Sequence, residues 1–93
     1  MPLSRAAVCL DCEFLVLRPA VLAFALLMER ALQAHDDTGG WEAEPDRSLL
    51  RRMQREVNAL AEAVRDRRTT IGAEAVEVAN CCLMIAENWG YLV

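Results

Sequence analysis

TIGAEAVEVANCCLMIAENW, residues 70–89, decides the fold. It has no proline, its single glycine lies near the start, and Gly90 follows directly as a stop signal, so it predicts one helix from Thr70 to Trp89. Ile71, Ala75, Val78, Cys82, Ile85 and Trp89 recur at spacings of three and four and form a stripe along it, and Val76, Ala79 and Leu83 widen that stripe round one side. One neighbouring helix cannot cover so broad a face.

Upstream, Leu50, Met53, Val57, Leu60 and Val64 give a narrower stripe over a helix predicted at 47–65, with Asp46 or Ser48 as its cap. Asp66-Arg67-Arg68-Thr69 makes the turn between the two helices, and Thr70 offers a cap for the second. Between His35 and Asp46 the periodicity stops, and Gly39 and Gly40 permit a sharp turn there. Pro19 suits a first helical turn, and Ala20 to Ala34 are mostly strong helix formers, which places another helix at 19–35. Residues 1–18 are irregularly apolar and read as an extended arm or a short helix.

These elements make a single 93-residue domain. The expected fold class is all-α: an antiparallel bundle of three main helices plus a short N-terminal segment, completed by homo-oligomerisation as a homodimer or homotetramer. Size argues for the last step, because a chain this short buries only about 60–65 % of its unfolded surface. Composition agrees with helices, since 55 % of the residues are hydrophobic but only 5 % aromatic.

The net charge of −4 is unevenly spread. Arg47 to Arg68 carry seven arginines against three acids, a local +4, which leaves −8 on the remainder. One short basic helix on an acidic chain excludes tracking along a polymeric nucleic acid. All ten basic residues are arginines, so a phosphorylated small molecule is one partner for them and solvent on an exposed helix face is the other.

The four cysteines read as free thiols in a reducing cytoplasm. Cys9 and Cys12 have a CxxC spacing but no redox-fold context, while Cys81 and Cys82 are helix neighbours that point about 100° apart and cannot easily share one ion. Asp11, Glu13 and Arg18 interrupt the apolar N-terminal stretch, and the uncharged run from Pro19 to Met28 falls short of the ~20 residues a membrane span needs. Neither an export signal nor a membrane partner is expected, and the localisation read from this is cytoplasmic.

Glu74 and Glu77 lie about 60° apart in projection beside the apolar stripe of their helix, and Glu56 borders the stripe of the preceding one. If these flanks face each other, three carboxylates are desolvated together and call for a hard divalent cation, Mg²⁺ or Mn²⁺. The alternative is three glutamates on solvent or paired with nearby arginine. Trp41 either stacks on a base or anchors the glycine loop, with the anchor preferred, and His35 reads as a helix-end residue rather than a catalyst.

Three strings, MERALQAHDDTGGW (28–41), LLRRMQREVNALAEAV (49–64) and EAVEVANCCLMIAENWG (74–90), stand in an order that resembles the MazG-like all-α nucleoside triphosphate pyrophosphohydrolases. The closest likeness is to the short bacterial and phage forms, in which an HDxxGGW-type loop precedes the carboxylate helices. That family's metal motif is ExxE followed by ExxD. Glu56 matches the first glutamate, but Ala59 stands where the second belongs; Glu74 matches the start of ExxD, and Glu77 replaces its aspartate. Glu62, one turn beyond Ala59, is the candidate to compensate.

The resemblance implies hydrolysis of a nucleoside triphosphate to the monophosphate and pyrophosphate. Glu56, Glu74 and Glu77 would hold Mg²⁺ and serve catalysis, while Arg52, Arg55, Asn80 and Trp41 would bind substrate. The Ala59 substitution leaves a second outcome open, a non-catalytic helical assembly protein that retains the scaffold.

Overall fold

The computed structural model describes residues 7–10, 13–36 and 40–90, with residues 7–10 and 13–15 described as backbone. Strands β1 (Ala7–Leu10) and β2 (Glu13–Val16) pair antiparallel in the register Ala7↔Val16 to Leu10↔Glu13. Three helices follow: α1 (Pro19–Gln33), α2 (Asp46–Arg65) and α3 (Ile71–Asn88). The body of the chain is therefore all-α, and the N-terminal segment takes the extended conformation rather than a short helix.

Local chemistry explains where the helices begin and end. Pro19 opens α1, where its missing N–H costs nothing, and the Arg18 carbonyl accepts from Leu22 N–H at 3.1 Å. Helix α2 starts at Asp46, behind an extended Pro45, so neither Asp46 nor Ser48 caps it as the sequence suggested. Both side chains have other partners: Asp46 Oδ2 accepts from Trp89 Nε1 at 2.6 Å, and Ser48 Oγ donates to Glu44 Oε2 at 2.7 Å. Asp46 still occupies the first turn, where the helix dipole favours a carboxylate. Thr70 precedes α3 without a side-chain cap, and Gly90, at φ 74°, closes the helix in the left-handed region.

Helix α3 is the shared partner, packing along α2 and, less extensively, against α1. The buried apolar side chains among the described residues are few: Leu49 and Ala63 from α2, and Val76, Cys81 and Met84 from α3. On both helices this buried face is rotated from the stripe that periodicity picks out. Leu50, Val57 and Val64 lie 43–54 % exposed, and Ile71, Cys82 and Trp89 are exposed as well. Part of the stripe still meets across the two helices, where Cys82 Sγ donates to Met53 Sδ at 3.4 Å, while Ala59 is half-buried and Ala63 buried. Helix α1 has no buried residue and exposes Val21, Leu26 and Leu27. The Cα radius of gyration is 14.9 Å, against about 12 Å for a compact domain of this length.

No helix among the described residues is long and apolar enough to cross a membrane. Cys81 is a buried free thiol and Cys82 an exposed one. Cys12 and Gly39 lie outside the described residues, as does the Cys9 side chain.

The turn from α2 to α3 closes with Arg68 N–H donating to the Ala63 carbonyl at 2.8 Å and Arg67 N–H to that of Val64 at 3.3 Å, the paired bonds of a Schellman end. That motif needs a left-handed residue at its centre, and here it is Arg67, at φ 53°. A side chain with a Cβ is strained in that region. Arg67→Gly is expected to raise the unfolding free energy by about 0.5–1 kcal/mol, the relief being partly offset by a freer unfolded chain. Urea denaturation of the two proteins checks this, and an unchanged or lower midpoint would contradict it.

Candidate functional site

A cleft of about 580 Å³ opens where the end of α1, the α1–α2 connection and the facing flanks of α2 and α3 meet. Trp41, Arg52, Glu77 and Asn80, four of the residues singled out in the sequence, line it together. The connection carries Trp41 to this place through the fold around it. Glu44 N–H donates to the Trp41 carbonyl at 3.0 Å, and Asn88 Nδ2 from the end of α3 donates to the same oxygen at 3.1 Å. The Trp41 backbone is thus anchored onto the bundle. Its indole Nε1 is covered from water and has no hydrogen-bond partner among the described residues.

Arg52 projects from α2 across to α3. Its Nη2 donates to Met84 Sδ at 3.0 Å, and Nη1 lies 3.9 Å from Glu44 Oε1. Burial works against the guanidinium charge, yet a hydrogen bond to the Cys81 sulfur and the charges of Cys81, Glu44 and Glu77 together hold its pKa above the ordinary arginine value. Arg52 is therefore a fixed cation at the wall of the cleft.

Asn80 is 3 % exposed, and its Nδ2 reaches across to the Met28 carbonyl of α1 at 3.3 Å, tying the two helices. Its Oδ1 accepts no hydrogen bond among the described residues. An unpaired buried polar atom costs about 1–3 kcal/mol, so two of them beside one cleft need an explanation.

The carboxylates occupy the flank next to this cleft. Burial raises the Glu56 pKa above the usual carboxylate range, and the negative charges of Glu77 and then Glu74 push it the same way, against Arg52 and Arg55. Glu56 on α2 therefore feels both glutamates of α3. None of the three forms an ion pair among the described residues. Glu77 alone of them lines the cleft; Glu56 and Glu74 are half-buried beside it, and Arg55 is exposed near Glu56. Glu62 is exposed and is not among the charges that act on Glu56.

As donors, the three carboxylates offer hard oxygen atoms and unneutralised negative charge, which suits Mg²⁺ or Mn²⁺. As placed they are not a closed cage, because no group of three or more His, Cys, Asp or Glu among the described residues lies close enough to hold an ion. The fit is therefore one of donor chemistry and charge alone.

Sequence reasoning did not pick out Asp36, Glu42, Glu44 and Met84, which also line the cleft, and it assigned His35, another lining residue, to a helix end. Glu44 stands in a Glu-Pro-Asp string that reads as turn punctuation, and nothing local marks it as the partner of Arg52. The Glu42 carboxylate lies over Gly40, in space that a Cβ would occupy. No protein-family model, curated protein or solved structure matches this chain.

The raised Glu56 pKa has a sign for stability. Because the folded chain holds this proton more tightly than the unfolded chain, the associated stability is present below the normal carboxylate pKa and is lost as pH rises through the raised value. Without divalent cations, Glu56→Gln is expected to melt a few degrees higher than wild type at pH 7, with the difference vanishing at pH 4. Thermal melts across that range check this, and an equal difference at both pH values would refute the repulsion.

Proposed function

We propose that this chain is a Mg²⁺-dependent nucleoside triphosphate pyrophosphohydrolase of the MazG-like kind, releasing pyrophosphate and a nucleoside monophosphate. The observation that carries this reading is the electrostatic convergence of Glu56 with Glu74 and Glu77 at the margin of a cleft that holds Arg52, Trp41 and Asn80. Three like charges on facing helices repel even with Arg52 and Arg55 acting on Glu56, and a divalent cation would supply further positive charge.

In this reading Glu56, Glu74 and Glu77 would hold the metal, whose charge would offset that of the triphosphate and lower the pKa of a bound water. Arg52, fixed by Met84 and Glu44, holds a phosphate oxygen at the cleft wall, and Arg55 serves the same tail from the exposed side. Trp41 and Asn80 orient the rest of the nucleotide.

A second copy of the chain completes the domain in this proposal. Leu50, Val57 and Val64 repeat every seven residues on the outside of α2, with Met53 and Leu60 half-buried between them. A seven-residue apolar repeat on an exposed helix fits a partner helix of the same kind. The broad exposed face of α1 supports association in the same way.

The reading from a different class is a non-catalytic helical assembly that keeps the scaffold. It is favoured by Ala59 in the place of a ligand and by the absence of a closed metal cluster among the described residues.

Pyrophosphate release from a panel of nucleoside triphosphates with Mg²⁺ separates the two. Turnover is expected, and Ala59→Glu, from a half-buried position one turn from Glu56, is expected to raise kcat/KM at limiting Mg²⁺ by about tenfold. No turnover by either protein, with no metal-induced rise in melting temperature, would leave the assembly reading alone. Sedimentation equilibrium is expected to return a multiple of the 10.4 kDa chain mass, with Val57→Asp shifting it to the monomer. A monomeric wild-type chain would remove the association.

A further inference from the structure

Glu44, Ser48 and Arg52 are spaced four residues apart and stand on one line that runs from the connection into the first turns of α2. The contacts along this line are unequal. Ser48 Oγ donates to Glu44 Oε2 at 2.7 Å, in the short range of a charge-assisted bond. Glu44 Oε1 stays 3.9 Å from Arg52 Nη1, beyond hydrogen-bond reach. The hydroxyl thus holds the carboxylate, and the guanidinium beside it receives no oxygen.

Arg52 is poorly supplied with acceptors. Its Nη2 donates to the Met84 thioether at 3.0 Å and a further bond runs to the Cys81 sulfur, so its hydrogen-bond partners among the described residues are two weak sulfur acceptors. Arg65 and Arg68, by contrast, each reach an Asp66 oxygen at 3.1 Å. A guanidinium carries five N–H donors in a fork that matches pairs of oxygen atoms. The Arg52 side chain lines the cleft and is 36 % exposed, so an oxyanion arriving there can reach N–H groups that no oxygen among the described residues has taken. A direct bond from Glu44 would compete for the same groups, because Arg52 is the one cation within 4 Å of that carboxylate among the described residues.

We infer that Ser48 and Glu44 are positioning residues for Arg52, the Ser48 hydroxyl holding the Glu44 carboxylate off the guanidinium and so keeping it open to a phosphate oxygen. The choice of phosphate rests on the nucleotide reading; the positioning does not. Two opposite effects follow. Glu44→Gln keeps an oxygen for Ser48 but removes the competing charge, so an anion binds more tightly. Ser48→Ala releases the carboxylate onto Arg52, so an anion binds less tightly, and that loss requires the Glu44 charge.

Inorganic pyrophosphate, titrated calorimetrically into the full chain in metal-free buffer at pH 7, tests this. Glu44→Gln is expected to lower Kd about fivefold and Ser48→Ala to raise it about threefold, the range of partly exposed ion pairs. Ser48→Thr, which keeps the hydroxyl, is expected to match wild type. In the Glu44→Gln background, Ser48→Ala is expected to change nothing, a non-additivity that a general loosening of the helix end does not produce. Arg52→Gln is expected to abolish binding, which separates the cleft from the arginines beside Ser48, Arg47 and Arg51. Binding that survives Arg52→Gln, an equal Ser48→Ala effect in both backgrounds, a reversed sign for either single variant, or no binding by the wild-type chain at millimolar concentration would overturn the inference. Pyrophosphate release from nucleotides is scored separately: turnover with unaltered anion Kd values removes this inference and keeps the enzymatic reading, and the expected shifts without turnover do the reverse.

Discussion

Helix α3 has to satisfy two neighbours at once, and the site depends on how it does so. Its contact with α2 includes the Arg52–Met84 and Cys82–Met53 bonds, and its contact with α1 includes the hydrogen bond from Asn80 to the Met28 carbonyl. Close packing on one side brings Glu56 within electrostatic range of Glu74 and Glu77. The polar tie on the other side spends the donor end of Asn80 and leaves its oxygen over. The carboxylate convergence and the unpaired Asn80 oxygen are thus both consequences of how one helix is shared.

The same arrangement leaves much of the larger apolar surface exposed. Few apolar side chains are fully buried among the described residues, and hydrophobic stabilisation scales with buried area at about 25 cal/mol per Å². The larger aliphatic groups, Leu50, Val57 and Val64 on α2 with Val21, Leu26 and Leu27 on α1, are left at the surface. Helix α2 therefore has a buried face and an exposed apolar one, whereas α1 has no buried residue.

Much of the fold could be read from local signals. Pro19, the turn at 66–70 and Gly90 mark helix ends because their effects act within a few residues, and the three helices lie within two residues of the expected bounds at each end. The site was legible in part, since Trp41, Arg52, Glu77 and Asn80 all meet at one cleft and Glu56 and Glu74 lie beside it. Glu44 and Asp36 were not legible, because a carboxylate in a connecting segment has no periodicity to say which way it faces. Helix capping went astray at Asp46 for a related reason: its carboxylate is bound by Trp89, 43 positions away in the chain.

By itself the sequence determined which segments are helical, since propensity, proline and glycine act locally, and it determined that α2 and α3 each carry an apolar stripe and a carboxylate flank. Which face of each helix would be buried was decided only in three dimensions. Leu49 and Ala63 went inside while Leu50, Val57 and Val64 stayed out, because burial follows the side that neighbouring elements cover, which periodicity along one helix does not encode. The cleft belongs to the tertiary structure for the same reason: the Asn80–Met28, Asn88–Trp41 and Arg52–Met84 bonds join residues 32 to 52 positions apart, and only the folded chain brings those partners together.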